Sequence, residues 1–313
     1  MKTRVAKIEQ LTSRVRRFTL VAERGSLPVC SGGSHIGVVL PTPGRTIRNS
    51  YSITSSPYQR SFLQIVVQRD PQSRGGSAWL HEVLREGDPL EITNPLNQFA
   101  LARNATRHLL IAGGIGITPF ISQIESLRRW GVPFELHYIY RGVENAAFLP
   151  QLRDGLCGLF TGYDTTISSR PDLVSLLSRQ PVGSHAYVCG PTSLIDDVVA
   201  SATSLGWPKH HVHFERFQPP PQTTARPFVA KLAKTGREIH VPAEATLLDV
   251  LEREGIAVPY SCRIGGCGTC EVAVVGGEID HRDHCWTDED RSCGTRLLAC
   301  VSRARNGHLH LDL

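Results

Sequence analysis

The chain has 313 residues, of which 41% are apolar and 20% are charged. This length predicts two or three domains, and the composition excludes a disordered chain or a fibrous repeat. The net charge of +5 comes with only 7% aromatic residues and no run of five basic residues, which argues against nucleic-acid binding. Glycines and a proline interrupt the longest apolar stretch, residues 108–124, so we expect no membrane span. We find no secretory signal and expect a cytoplasmic protein.

The charge is distributed unevenly along the chain. Residues 227–313 contain 10 Lys or Arg against 13 Asp or Glu, whereas the remainder contains 24 against 16. The C-terminal part is therefore acidic and the rest is basic. This asymmetry predicts docking between unlike surfaces.

The first region, residues 1–104, consists of short segments of alternating polarity separated by Gly, Pro and Ser. This pattern is typical of a small antiparallel barrel. One helix is predicted after Gly75-Gly76-Ser77, because apolar residues over 78–84 follow helical spacing. Free N–H groups at that helix start, with the Ser77 hydroxyl as a cap, would suit one phosphate group. An ordinary N-cap turn is the alternative.

The second region, residues 105–217, changes to alternating strands and helices, which predicts a parallel sheet covered by helices. Its motif Gly113-Gly114-Ile115-Gly116-Ile117-Thr118-Pro119 follows a strand and opens a helix, with Thr118 as the predicted N-cap. These glycines would let a dinucleotide pyrophosphate approach the backbone, although Pro119 replaces the third glycine of the usual fingerprint. A tight structural turn is the alternative. A second turn, Cys189-Gly190-Pro191, stands where parallel sheets bind ligands.

A proline-rich segment and a cysteine-rich region complete the chain. Three consecutive prolines predict an extended linker over residues 218–227. Residues 228–313 contain a hairpin-like pair of strands at 228–232 and 238–241, a helix over 246–252 and a loop with several cysteines. Five of the nine cysteines lie between Cys262 and Cys293. An odd count in a cytoplasmic chain argues against a disulfide framework and points to metal or redox chemistry.

Four of these cysteines have the spacing C-x4-C-x2-C-x29-C, which is the plant-type arrangement for a [2Fe–2S] cluster. The predicted ligands are Cys262, Cys267, Cys270 and Cys300. Glycines in the loop permit the tight turn that three thiolates around two irons require. A zinc site or free thiols are the alternatives. We interpret Cys285 and Cys293 as loop residues rather than a second metal site.

The cysteine loop, its C-terminal position and the two preceding regions resemble the phthalate dioxygenase reductase family, which are flavin and iron–sulfur reductases that serve Rieske-type oxygenases. The segments Cys300-Val301-Ser302-Arg303-Ala304 and His281-Arg282-Asp283 are also similar to that family. The resemblance implies an antiparallel β-barrel flavin domain at residues 1–104 and an α/β parallel-sheet NAD-binding domain at 105–217. It implies an α+β ferredoxin-like (β-grasp) domain at 228–313.

The resemblance also implies roles for individual residues. Arg48-Asn49-Ser50-Tyr51-Ser52 resembles a flavin-binding Arg-x-Tyr-Ser segment, in which Tyr packs on the flavin, Ser bonds near its reactive nitrogen and Arg holds phosphate. Here Arg48 stands one residue too early, which on a strand turns it to the other face. Similarity places Cys189 beside the nicotinamide and Phe217 against the flavin. The predicted catalytic residues are Ser52, Cys189 and Phe217, and Arg141 is a candidate ribose or 2′-phosphate contact.

The expected function follows from these sites. A one-electron cluster cannot accept a hydride, so a flavin must stand between it and the nicotinamide. We expect FMN rather than FAD, NADH rather than NADPH, a monomer, and a separate terminal oxygenase of the Rieske non-haem iron type as partner. One alternative is a reductase for a diiron oxygenase or a haem protein. Another is a non-enzymatic iron–sulfur sensor.

Overall fold

The computed structural model describes residues 1–42, 45–71, 75–219 and 225–313. The chain divides into two compact units, Met1–Arg216 and Phe217–Leu313. The predicted linker, 218–227, falls at the start of the second unit, and its residues 220–224 lie outside the described residues. None of the helices in the described ranges combines the length and the apolar character that a bilayer crossing requires.

The first unit begins with an antiparallel barrel. Its elements are β1 (Lys2–Thr12), β2 (Val15–Ala22), β3 (His35–Thr42), β4 (Arg45–Ser52), β5 (Leu63–Gln68), α1 (Gly76–Glu82) and β6 (Pro89–Ile92). The strands follow the order β4-β3-β6-β1-β2-β5, and a bridge between Ile53 and Ile65 joins the two edges. Alternation along the strands buries side chains such as Val5, Phe18 and Ile36 inside. The described strands therefore close on themselves around an apolar core.

A parallel sheet completes the first unit. Its elements are β7 (Arg107–Gly113), α2 (Thr118–Trp130), β8 (Phe134–Tyr140), α3 (Leu149–Gly155), β9 (Phe160–Asp164), α4 (Leu173–Ser178), β10 (Ser184–Cys189), α5 (Thr192–Ser204) and β11 (Val212–Glu215). Short 3₁₀ turns lie at Gly114–Ile117, Val143–Asn145 and Lys209–His211. The strand order is β11-β10-β7-β8-β9, and every residue of the interior strand β10 is buried. Burial on both faces explains the continuous apolar runs in β7 and β10.

The second unit is a small α+β domain. Its elements are β12 (Phe228–Leu232), β13 (Glu238–Val241), α6 (Leu247–Arg253), β14 (Glu271–Gly276), β15 (Ile279–Asp280), α7 (Asp288–Ser292), β16 (Arg296–Leu298), β17 (Arg303–Ala304) and β18 (His308–Leu311). The main sheet has the order β13-β12-β18-β14-β16. A capping box between Thr246 and Asp249 starts α6, one residue later than predicted. The predicted combination of barrel, parallel sheet and ferredoxin-like domain is confirmed.

Two predicted helix caps are wrong. Ser77 lies inside α1, whose N-cap is Gly75 with φ of +112°, and the Ser77 hydroxyl accepts the Asp70 N–H at 3.2 Å. Thr118 is the first residue of α2, because the preceding glycines already form a 3₁₀ turn. Its hydroxyl donates back to the Ile115 carbonyl at 3.0 Å, which is a bond within the turn rather than a cap. Each start is set by backbone geometry at glycine instead of a side-chain oxygen.

A stack of buried histidines lies at the opposite end of the parallel sheet from these turns. The Tyr187 ring lies 5.5 Å from that of His108 and 4.4 Å from that of His213. His185 bonds His213 at 2.9 Å between ring nitrogens and stacks on His211 at 4.1 Å. Burial lowers the pKa of His108 and that of His213 to about 4. The folded chain therefore holds these rings neutral.

We expect acid to destabilise the protein through this stack. Between about pH 6.5 and 4 the unfolded chain binds protons that buried His108 and His213 do not, so the free energy of unfolding decreases as pH falls. Each ring contributes a slope of at most about 1.4 kcal/mol per pH unit. Urea unfolding of His108→Phe at stepped pH should show a shallower slope than wild type. The exposed His308→Phe serves as control, and equal slopes in all three proteins would contradict the expectation.

Candidate functional site

Sheet register brings two of the predicted cluster cysteines together. Strand β14 starts directly after Cys270 and pairs antiparallel with β16, with Glu271 opposite Leu298. The Ala299 N–H donates to the Cys270 carbonyl at 3.0 Å, so Cys300 follows immediately beside Cys270. Each of the two cysteines is only 2% exposed. After the 29 intervening residues, the chain therefore returns to the position of Cys270.

The other two cysteines lie on a tightly turned loop. Gly265 has φ of +79°, and a methyl group there would lie 2.8 Å from Val301 Cγ2, so no side chain fits beneath the loop. Arg263 has a positive φ of 59° without being glycine. Its guanidinium bonds Asp249 at 2.7 Å and also pairs with Glu252 on α6. Two ion pairs thus hold the backbone of this loop in a conformation that a non-glycine residue rarely adopts.

The four thiols form two pairs. Cys262 and Cys267 are hydrogen-bonded, as are Cys270 and Cys300. The bond from Cys262 lowers the pKa of Cys267 to about 5, and the bond from Cys300 likewise lowers the pKa of Cys270. One sulfur of each pair therefore favours the thiolate, which is the form that binds metal.

Two pairs suit two irons better than one metal ion. A zinc ion needs four ligands converging on one point. In a [2Fe–2S] cluster, by contrast, the four thiolates are shared between two irons. The described thiols therefore fit a [2Fe–2S] cluster.

We expect the pairs and the remaining cysteines to respond differently to substitution. Cys300→Ser removes one member of the Cys270–Cys300 pair and should abolish retention of two irons and two labile sulfides, because one iron loses a thiolate ligand. Cys293→Ser is the matched control, since Cys293 is exposed and its thiol lies 3.5 Å from the Glu289 carbonyl. Iron and sulfide analysis of anaerobically purified proteins measures the difference. Full cluster content in Cys300→Ser would refute this ligand assignment.

The predicted flavin segment lies on β4. Asn49 and Tyr51 face the same side, because the Asn49 amide donates to the Tyr51 hydroxyl at 3.2 Å, whereas Arg48 is exposed. Burial raises the pKa of Tyr51 to about 12, so its ring stays neutral. Ser52 Oγ is buried and has no hydrogen-bond partner among the described residues. A Cβ on Gly76 would lie 2.1 Å from the Asn49 amide nitrogen, so Gly76 packs directly against that amide. The flat Tyr51 ring and the Ser52 hydroxyl, which has no partner among the described residues, fit a bound flavin.

The two predicted nucleotide turns touch each other. A Cβ on Gly190 would lie 2.9 Å from Gly113 Cα, and one on Gly116 would lie 2.3 Å from the Cys189 carbonyl oxygen. The close contact between the turns therefore requires glycine at positions 113, 116 and 190. Gly114 differs, because it has φ of +53° and its Cβ would meet nothing within 4 Å. Of the predicted glycines in the first turn, Gly114 is the one that faces open space.

The first unit brings the barrel and parallel-sheet halves of the site together. Cys189 is fully buried and lies opposite Glu215 in the pairing of β10 with β11. The Glu215 carboxylate lies 3.9 Å from His35 Nδ1, and His35 pairs with Ser52 across the barrel strands β3 and β4. Burial raises the pKa of Glu215 to about 8 and raises that of Cys189 well above its ordinary value. The thiol and the carboxyl therefore stay uncharged at neutral pH.

Sequence reasoning missed His35 and Glu215. The signal available was a lone glutamate at the end of an apolar strand, but its burial depends on the pairing of β11 with β10. Arg141 is exposed after β8, and Phe217 is 38% exposed at the start of the second unit. Their roles remain predictions.

Comparisons with known proteins agree with these two sites. Residues 230–305 match a family model for the 2Fe-2S iron-sulfur cluster binding domain. Residues 94–212 match a model for the N-terminal domain of dimethylamine monooxygenase subunit DmmA-like proteins. The chain is 41% identical to the carnitine monooxygenase reductase subunit of Escherichia coli (strain K12), over 100% of this chain and 98% of that protein. It is 39% identical to the heme-dependent oxidative N-demethylase beta subunit of Ectopseudomonas mendocina (strain ymp), over 100% and 99%.

A solved structure extends this agreement to the whole fold. Phthalate dioxygenase reductase, described as a modular structure for electron transfer from pyridine nucleotides to [2Fe–2S], matches with a TM-score of 0.81 and 33% identity. The match covers 100% of this chain and 98% of that one. Barrel, parallel sheet and [2Fe–2S] domain together define an electron-transfer oxidoreductase. The chain belongs to the phthalate dioxygenase reductase family, the reductase components of multicomponent oxygenases, and the predicted resemblance is confirmed.

Proposed function

We propose that this protein carries electrons from NADH through FMN to its [2Fe–2S] cluster and on to a separate terminal oxygenase of the Rieske type. When bound, the flavin accepts a hydride and releases electrons singly, and the cluster takes them one at a time. The observation that supports this most strongly is the pairing of the four thiols in a chain that also holds Ser52, Cys189 and Glu215 in one buried group. The name and fold of the relatives support the same role.

Individual residues of this chain would have the following binding roles. Tyr51 and Ser52 would orient the flavin, with Asn49 beside them and Gly75, Gly76 and Ser77 near its phosphate. Gly114 and the 3₁₀ turn that leads into α2 would receive the pyrophosphate of the nucleotide, because the N-terminal end of a helical segment attracts anions. Cys189 and Pro191 would flank the nicotinamide.

One comparison favours a second acceptor. The 39% identity to the beta subunit of a heme-dependent oxidative N-demethylase supports delivery of electrons to a haem protein as the alternative. Reduction of purified candidate acceptors separates the two, since only the true partner should reach full turnover at low reductase concentration.

The cysteine chemistry favours the cytoplasm, where thiols stay reduced for cluster assembly. We propose a monomer, because one chain contains every site, and sedimentation of the loaded protein tests this.

Anaerobic NADH should bleach the flavin and cluster absorption of the purified protein and support reduction of cytochrome c. Flavin released by acid should co-migrate with FMN in chromatography. In Cys300→Ser, NADH should still bleach the flavin, whereas cytochrome c reduction should fall to background because the path to the acceptor is broken. Loaded wild-type protein that NADH leaves fully oxidised would refute the proposal.

Glu215 should make nicotinamide oxidation sensitive to pH. Below about pH 8 its buried carboxyl is neutral, and above that value the carboxylate opposes arrival of a negatively charged hydride. We expect the rate of flavin reduction to fall about tenfold above pH 8, equivalent to about 1.4 kcal/mol. Stopped-flow measurements on Glu215→Gln should give a flat profile, because the amide cannot ionise. The exposed Glu91→Gln should retain the wild-type profile, and a pH-dependent Glu215→Gln would contradict the assignment.

A further inference from the structure

Two glycines before β3 lie directly on the helix that follows the first nucleotide turn. A Cβ on Gly32 would lie 2.7 Å from Ser126 Oγ and 2.9 Å from both Gln123 Cα and the Ser122 carbonyl oxygen. Carbon atoms in ordinary contact lie 3.5–4.0 Å apart. The barrel therefore touches the backbone of α2 at Gly32, with no room for a methyl group between them.

Hydrogen bonds hold this contact in register. The Gly33 N–H donates to Ser122 Oγ at 3.1 Å, and the Gln123 amide donates to the Phe99 carbonyl at 2.6 Å. The Asn97 amide donates to the Gly32 carbonyl at 2.9 Å. All these groups belong to the first unit. The contact is thus both close and directional, which is unlike a sliding apolar interface.

Aromatic contacts restrain the C-terminal end of α2. The Arg129 guanidinium lies 4.3 Å from the centre of the Tyr58 ring, which belongs to a barrel loop. Arg103, in the connection between barrel and sheet, lies 3.9 Å from the centre of the Trp130 ring. Contacts at its middle and at its C-terminal end leave α2 little freedom to rotate against the barrel.

The glycine contact is adjacent in the chain to both halves of the reaction site. Gly33 precedes His35 by two residues, and His35 faces Glu215 across the two sheets at 3.9 Å. On the other side, α2 starts immediately after the 3₁₀ turn at Gly114–Ile117, whose Gly116 lies against the Cys189 carbonyl. A displacement at Gly32 would therefore move the barrel half of the site relative to the parallel-sheet half.

We propose that Gly32 and Gly33 are positioning residues, which set the separation between the barrel and the nucleotide turns and so the distance over which hydride moves. The inference rests on the proposed function. The glycine contact is remote from the reacting atoms, yet it would control the rate of hydride transfer. Local destabilisation alone would not have this effect. Misplacement by about 1 Å is enough to slow a positioned reaction by about a hundredfold.

Single-turnover reduction of the flavin by NADH in Gly32→Ala tests this. At saturating NADH the rate should fall about tenfold to hundredfold. The dissociation constant for NADH and the flavin content should stay near wild type, because the nucleotide turn and β4 are unchanged. The primary isotope effect with NADH deuterated at the transferred position should rise, since transfer becomes more strongly rate-limiting. Wild-type rate and isotope effect in flavin-loaded Gly32→Ala would overturn the inference.

Two further variants keep the test decisive. Gly155→Ala is the matched control, because its Cβ would meet only Arg128 Nη2, at 3.7 Å, and it should be reduced at the wild-type rate. Ser122→Ala removes the bond to Gly33 without a clash and should slow reduction several-fold. If Gly32→Ala does not fold, an unchanged rate in Ser122→Ala overturns the inference. Failure of NADH to reduce the wild type would instead refute the proposed function itself.

Discussion

Contact between backbones at glycine is the constraint on which both redox sites depend. Gly113 and Gly190 bring two strand-to-helix turns together, and a Cβ on Gly265 would lie only 3.1 Å from Asp283 Cα, so glycine lets the cysteine loop lie against that backbone. In each case the chain approaches more closely than any side chain would allow. The resulting positions are rigid, because a packed backbone contact has no rotamers to change. Such rigidity is what a cofactor site needs, since small displacements reduce the rate of a positioned reaction.

Burial keeps two ionisable side chains of the candidate site in the first unit neutral. The pKa of Glu215 is raised to about 8 by burial, and that of Tyr51 is raised to about 12. The cluster loop shows the opposite arrangement. There the pKa of Cys267 is lowered to about 5, which prepares a thiolate for iron.

The features that sequence reasoning identified correctly are those encoded locally. Cysteine spacing identified a [2Fe–2S] domain that the comparison with known domains confirms, because its three loop ligands are neighbours in the chain. Hydrophobic periodicity likewise predicted the strands β12 and β13 with their observed bounds. The predicted caps at Ser77 and Thr118 were wrong because the same residues occur where a side chain caps a helix and where a glycine turn starts it. Which one forms depends on whether the preceding glycines continue the helical turn.

Spacing along the chain was enough to predict the order of the three folds, the four thiols and the two glycine turns. The burial of Glu215 opposite His35 and the two cysteine pairs are visible only in the folded chain. Those relations join strands far apart in sequence, and their energies come from register and desolvation. Neither quantity can be read from residues that are local in the chain.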